Sequence, residues 1–186
     1  RQWILRGEPF HANGEGSAAG FPAILGHLIE QRGLPAGSDL EGFLRPRLRD
    51  LGDPFEIGEM DLAVERIFKA IDAGEEICIF GDYDVDGVSS VAVMRRILEA
   101  YGCKPRHFIP RRSSEGYGLS NAALERAMSE GAKPDLIITV DCGTVSVTEI
   151  AGLRAQGIDV VVVDHHEPGP AGRPDVTALV NPKFGG

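Results

Sequence analysis

Glu76-Ile77-Cys78-Ile79-Phe80-Gly81-Asp82-Tyr83-Asp84-Val85-Asp86-Gly87 is a short apolar run that breaks into alternating aspartates and stops on glycine. The apolar part, residues 76–80, has no polar alternation, so as a strand it must be covered on both faces. Two later stretches repeat the design. Residues 135–140 (DLIITV) lead into Asp141-Cys142-Gly143, and residues 158–163 (IDVVVV) lead into Asp164-His165-His166. Helical patterns occupy about 88–101, 121–130 and 147–156, with further strands at 106–109 and 178–180. Doubly apolar strands alternating with helices predict an α/β fold built on a parallel, doubly wound sheet flanked by helices.

Upstream of this region, apolar positions 60, 63, 64, 67, 70 and 71 keep the helical period over 60–73, and Gly74 ends that helix. Residues 21–60 read as short helices broken by Pro and Gly, with Ile24, Leu25, Leu28 and Ile29 on one helical face. Residues 13–20, rich in Gly, Asn and Ser, read as flexible. The expected organisation is a mainly helical N-terminal extension over 1–59 and an α/β domain over 60–186.

The 186 residues, 42% hydrophobic and 25% charged, suffice for one packed α/β domain. No apolar run approaches the roughly 20 residues that span a bilayer, so no membrane role is expected. The sequence starts at Arg1 rather than Met, which leaves targeting unassigned. Cys78, Cys103 and Cys142 are scattered through apolar elements with no CxxC pair, the pattern of reduced thiols in a cytoplasmic protein. A formal charge of −9 argues against a nucleic-acid partner. That objection weakens because the acids cluster where a metal would neutralise them. Arginines also gather at Arg45/Arg47/Arg49, Arg95/Arg96 and Arg111/Arg112.

In a parallel sheet every strand C-terminus lies on one edge, the edge where ligands bind. Asp82, Asp84, Asp86, Asp141 and Asp164, with His165 and His166, are therefore expected in one cleft. Converging carboxylates repel one another and raise their own pKa values. No lysine accompanies the three motifs, so a divalent cation is the economical counter-charge. Oxygen ligands plus imidazole suit Mn²⁺ or Mg²⁺, with Mn²⁺ favoured because Mg²⁺ seldom takes nitrogen. Two ions roughly 3.5–4 Å apart would clamp a phosphoryl oxygen and activate water. Neutralising one of the acids, as in Asp84→Asn, is expected to raise the metal-free stability.

A single Asp after a strand is usually a turn residue or a helix cap, which would suffice for Asp82 alone. Three acidic strand ends in one sheet are not explained that way. Asp82-x-Asp84-x-Asp86-Gly87 also imitates the start of an EF-hand, but its twelfth position is Val93 and a strand precedes it. The chain has no GxxxxGK[ST] and no GxGxxG, which removes nucleotide-loop chemistry of those types.

In their order, Asp82-Tyr83-Asp84-Val85-Asp86-Gly87, Asp141-Cys142-Gly143 and Asp164-His165-His166 resemble the first three motifs of the DHH phosphoesterases. Gln31-Arg32-Gly33, Asp53-Pro54, Ile109-Pro110 with Arg112, Glu115-Gly116-Tyr117-Gly118 and Val180-Asn181-Pro182 extend the likeness across about residues 24–182. They resemble the branch of that family that digests single-stranded DNA. The resemblance implies metal-dependent 5′-to-3′ exonuclease activity in DNA repair and recombination, with two Mn²⁺ or Mg²⁺ ions in the complete protein. It implies metal ligation by Asp84, Asp86 (the bridging ligand), Asp141 and His165, with Asp82 a ligand or a support. His166 would meet substrate phosphate, and Asp164 would orient the histidines. Arg112 would grip phosphate through its planar fork. Ser89 and Ser90, placed in the first turn of the helix after Gly87, would offer N–H groups to the same phosphate.

The implied partners are single-stranded DNA and a single-strand-binding protein or helicase, and a monomer is the favoured state. Asp141-Cys142-Gly143 continues as Thr144-Val145-Ser146, which implies a slightly different local loop from the family pattern. That pattern also holds a further acidic motif and a DNA-gripping domain beyond position 186, so this chain alone is expected to hydrolyse poorly. The rival readings are a small-substrate phosphodiesterase or pyrophosphatase of the same family, and a non-catalytic nucleic-acid-binding scaffold.

Overall fold

The computed structural model describes residues 23–33 and 42–184; the glycine-rich stretch 13–20 lies outside them. The chain divides into two units, Arg1–Gly52 and Asp53–Gly186. In the first, helix α1 (Ala23–Gln31) buries Ile29 while Ile24 and Leu28 stay exposed, so the expected apolar face is only partly used. A 3-10 turn at Leu48–Asp50 follows, with the Arg47 N–H donating to the Asp50 carboxylate at 3.1 Å.

The second unit carries α2 (Met60–Ala73), β1 (Ile77–Gly81), α3 (Val85–Ala100), β2 (Arg106–Phe108) and α4 (Asn121–Ser129). It continues with β3 (Leu136–Val140), α5 (Val147–Ala155), β4 (Asp159–Val163) and β5 (Ala178–Val180). The five strands form one parallel sheet in the order β2-β1-β3-β4-β5. Winding reverses between β1 and β3, which opens a crevice at their C-terminal ends.

Strand side chains alternate between the two faces. Ile77, Ile79, Leu136, Ile138, Val140 and Val161 pack with Ala63 and Ala70 of α2 and Val91 and Leu98 of α3. Cys78, Phe80, Ile137, Val160 and Val162 pack on the other side with Ala123, Leu124 and Ala127 of α4 and Ile150 and Leu153 of α5. β1 and β3 are buried along their whole length, as continuous apolar runs require. All three cysteines are free thiols, Cys78 and Cys142 fully buried. Among the described residues, no helix is long and apolar enough to cross a membrane.

Elements differ from expectation mainly where aspartates act as caps. Helix α3 starts at Val85, three residues before the expected 88, because Asp84 accepts the N–H groups of Asp86 at 3.0 Å and Gly87 at 3.1 Å. Gly87 is then inside the first turn, where it lies on the Asp82 backbone. A Cβ at Gly87 would sit 2.4 Å from the Asp82 carbonyl oxygen and 2.6 Å from its nitrogen.

The segment between β2 and α4 is anchored by one ion pair. Arg126 of α4 reaches both carboxylate oxygens of Glu115, at 2.5 and 2.9 Å. Its guanidinium also donates to the Ile109 carbonyl at 3.1 Å and lies 4.0 Å above the Phe108 ring. Glu115 in turn accepts the Arg111 N–H at 2.7 Å. The Arg126 hydrogen bond, followed by the Arg111 amide and the two positive charges, pulls the Glu115 carboxyl down to about 2 against burial.

Gly87→Ala should destabilise the protein by about 3 kcal/mol, the upper end of overpacking costs, because the clash is with backbone; urea unfolding measures it. For Glu115 the folded pKa lies below the unfolded one, so its stabilisation is complete above about 4.5 and is lost as the pH falls towards 2. Glu115→Gln should therefore unfold earlier than the parent at pH 7, and the two midpoints should converge near pH 2.

Candidate functional site

Parallel register builds the site. Gly81 pairs with Val140, and Val140 pairs with Val163. The next residues on the three strands are Asp82, Asp141 and Asp164, so three carboxylates leave the sheet side by side. All three are buried.

Asp82 has no exposed surface. Its Oδ1 accepts the Gly118 N–H at the long distance of 3.5 Å, and its Oδ2 has no partner. Asp141 has left-handed backbone, φ 60°, a region that costs most side chains energy and that Asp tolerates better than most. The turn is fixed by its N–H donating to the Val163 carbonyl at 2.9 Å. Oδ1 of Asp141 lies 3.0 Å from His165 Nε2, and Oδ2 again has no partner. Among the described residues, these two Oδ2 atoms are the only buried side-chain oxygens without a hydrogen bond.

Asp164 is the opposite case. Oδ1 accepts the His165 N–H at 2.7 Å, the His166 N–H at 3.2 Å and His166 Nδ1 at 2.7 Å, while Oδ2 accepts the Thr144 N–H at 3.0 Å. It thus orients the His166 ring directly, and His165 only through its backbone. His166 is held from its far side as well, with Nε2 2.9 Å from the Tyr117 hydroxyl. Asp141, His165 and His166 each offer an atom within 4.8 Å of the others'. Since both His166 nitrogens already have partners, His165 is the better placed of the two imidazoles to ligate an ion.

The carboxylates do not all shift upward as convergence alone implies. Burial, then the charge of Asp84, raises the Asp141 carboxyl. The Gly87 amide, then that of Asp86, holds Asp84 below its ordinary value. Burial works to raise Asp164, but hydrogen bonds from Thr144 and His166 outweigh it and leave the carboxyl lowered. His166 is raised, chiefly by its hydrogen bond to Asp164. Repulsion therefore falls on Asp141, and the stabilising substitution expected at Asp84 belongs at Asp141 instead, since Asp84 is a helix cap.

Asp86, Ser89, Ser90, Asp141 and His165 line one cleft of about 320 Å³. The serines do not offer the N–H groups expected of them. Helix α3 begins at Val85, so both lie beyond its first turn, and the free N–H groups of Asp86 and Gly87 are taken by Asp84. The Ser89 hydroxyl donates to the Asp86 carbonyl at 3.1 Å. Arg112 is exposed and stands 5.2 Å over the Tyr83 ring. Tyr83 meets Tyr117 edge-on at 6.1 Å, and Tyr117 meets His166 edge-on at 6.0 Å. Arg112 is thus linked to the histidines through two tyrosines rather than by contact with the acids.

Three residues of the site went unassigned in the sequence reading. Tyr117 lay in a quoted motif without a role; burial, then the charges of Asp82, Asp141 and Asp164, push its hydroxyl up to about 12, so it stays neutral. Thr144 and Asn181 are fully buried polar residues of the same network. Asn181 belongs to the Val180-Asn181-Pro182 motif directly after the apolar run at 178–180, but the motif assigns it no role.

Asp141→Asn keeps a residue that accepts left-handed backbone and removes the strained charge. It should raise the metal-free melting temperature; at this size a gain of 1 kcal/mol reads as roughly 2–4 °C. Asp84→Asn, which removes a charge that the Gly87 and Asp86 amides favour, should give no such gain.

Residues 76–185 match the DHH family, N-terminal domain. The chain is 41% identical over 160 residues to the single-stranded-DNA-specific exonuclease RecJ of Bacillus subtilis, covering 86% of this chain and 20% of that protein. It is 36% identical over 168 residues to RecJ of Salmonella typhimurium, covering 89% and 28%. The fold superposes on a crystal structure of exonuclease RecJ bound to manganese with a TM-score of 0.64 at 32% identity, over 72% of this chain and 34% of that one. For RecJ in complex with Mn²⁺ from Thermus thermophilus the TM-score is 0.60 at 29% identity, over 86% and 21%. The chain spans only about a fifth to a third of the length of these relatives. Because the family match takes in all three acidic strand ends and more than half the sequence, the chain belongs to the DHH family.

Proposed function

We propose that this chain forms the N-terminal catalytic part of a metal-dependent exonuclease that digests single-stranded DNA from the 5′ end, in DNA repair and recombination. One observation carries the reading: two buried carboxylate oxygens, Asp82 Oδ2 and Asp141 Oδ2, stand without hydrogen-bond donors at adjacent strand ends of a parallel sheet, and Asp141 lines the cleft against the His165 imidazole. A buried anion without a donor is costly unless a cation meets it. The donor set, carboxylates plus one imidazole, fits Mn²⁺ or Mg²⁺. Relatives named as single-stranded-DNA-specific exonucleases, and the manganese in the similar structures, support the same choice.

Asp82, Asp84, Asp86, Asp141 and His165 are the residues that would hold the ion or ions. Such an ion supplies positive charge to a phosphoryl oxygen and makes water a better nucleophile at neutral pH. The chain's own groups do the rest. Asp164 fixes the His166 ring and favours its protonated form, so His166 can donate to a phosphate oxygen and balance charge that develops there. The neutral Tyr117 hydroxyl steadies the same imidazole. Arg112, at the outer end of the tyrosine pair, is the proposed grip on a further phosphate. The acidic net charge is compatible with this role, because the metal inverts the sign of the field at the cleft. The proposed setting is cytoplasmic and monomeric, with a single-strand-binding protein or helicase as partner.

Melting of the chain with and without Mn²⁺, in parallel with His165→Ala, tests the metal site. At 100 times the dissociation constant, bound ion should add about 2.7 kcal/mol, and the variant should lose most of that gain. Absence of any shift in the parent would refute the metal site as drawn. Incubating the longer protein with a 5′-phosphorylated strand, single or annealed, should release mononucleotides only from the single strand and only with metal.

A further inference from the structure

Asn181 sits directly after β5, fully buried, one strand beyond the three acidic strand ends. Its amide orientation is fixed by two backbone groups of opposite kind. Oδ1 accepts the Lys183 N–H at 2.9 Å, and Nδ2 donates to the His166 carbonyl at 3.0 Å. The same Nδ2 donates to Thr144 Oγ1 at 2.9 Å. Since an amide nitrogen only donates, the Thr144 oxygen accepts there and its own proton is free to turn towards Asp164, whose Oδ2 accepts the Thr144 N–H at 3.0 Å. Asp164 then holds His166 Nδ1 and the N–H groups of both histidines. Donation runs from Asn181 to the Thr144 hydroxyl oxygen and from the Thr144 N–H to Asp164. The second Asn181 bond grips the His166 main chain from behind.

We infer that Asn181, acting through Thr144, is a positioning residue that sets the tautomer and place of His166 and, through the shared Asp164 anchor, the main-chain position of its neighbour His165. The inference rests on the proposed role of that histidine pair. Asn181 lines neither the cleft nor the unpartnered oxygens, and its part is to keep the His166 Nδ1–H on Asp164, in the neutral as in the protonated ring, with Nε2 turned to Tyr117. Neutral histidine in water prefers the proton on Nε2, so the arrangement must be imposed. Buried hydrogen-bond chains of this kind impose it only when every member is satisfied, and each member here is.

The test uses the metal-free chain with ¹⁵N-labelled histidine at pH 8.5, where long-range ¹H–¹⁵N spectra separate the two tautomers. The parent should show His166 protonated on Nδ1. Asn181→Ala and Thr144→Val, the latter keeping volume without a hydroxyl, should move His166 towards the Nε2-protonated form, while Thr144→Ser should retain the parental pattern. Mn²⁺ affinity, measured by calorimetry, should fall about tenfold or more in the first two variants, as for the loss of an outer partner of a ligand, and recover in Thr144→Ser. If Asn181→Ala fails to fold, Thr144→Val carries the comparison. An unchanged His166 spectrum in Thr144→Val overturns the inference. A parent that binds no Mn²⁺ counts against the proposed metal site alone, because the tautomer comparison needs no metal.

Discussion

Everything at the candidate site depends on strand register. Parallel pairing aligns Gly81, Val140 and Val163, and the residue after each is an aspartate. A slip of one residue in either ladder would send one of those carboxylates to the opposite face, because side chains alternate. The apolar runs on both sides of the sheet fix that register, since Ile79, Ile138 and Val161 on one face and Phe80, Ile137 and Val162 on the other each have a core to fill. The hydrophobic layers thus hold together a set of charges that would otherwise separate.

The acids are tolerated by unequal division of hydrogen-bond donors rather than by basic side chains. Asp164 collects four N–H groups, and Asp84 collects two at a helix start. Asp82 and Asp141 are each left with a bare oxygen. Donors are concentrated on Asp164 and on one oxygen of Asp84, while one oxygen each of Asp82 and Asp141 has none.

The sheet, its parallel sense and the meeting of the three acidic ends were legible in the sequence because they follow from apolar periodicity and one topological rule. Met60–Ala73 and Ala178–Val180 appear at the expected residues. What was not legible turned on single hydrogen bonds. The start of α3 shifted because Asp84 caps it, and the same shift removed Ser89 and Ser90 from the first turn. Nothing in the pattern of residues reveals that Asp141 is the carboxyl that burial raises while Asp84 is lowered, since that depends on which backbone amides face which oxygen. Tyr117, Thr144 and Asn181 lie far apart in the chain and meet the histidines only through the fold.

Cys142, between Asp141 and Gly143, has a further consequence. Its thiol is buried, bonds the Phe80 carbonyl at 3.9 Å, and is raised by burial, so it has little thiolate character. Gly118, from the segment that also presents Tyr117, faces the Cys142 side chain, where a Cβ added at Gly118 would sit 3.7 Å from the Cys142 Cβ. A thiol reagent can reach this buried sulfur only when the structure around it opens. The rate of Cys142 alkylation therefore records how often the crevice unseals, which gives the protein a built-in chemical clock for motion beside the candidate site.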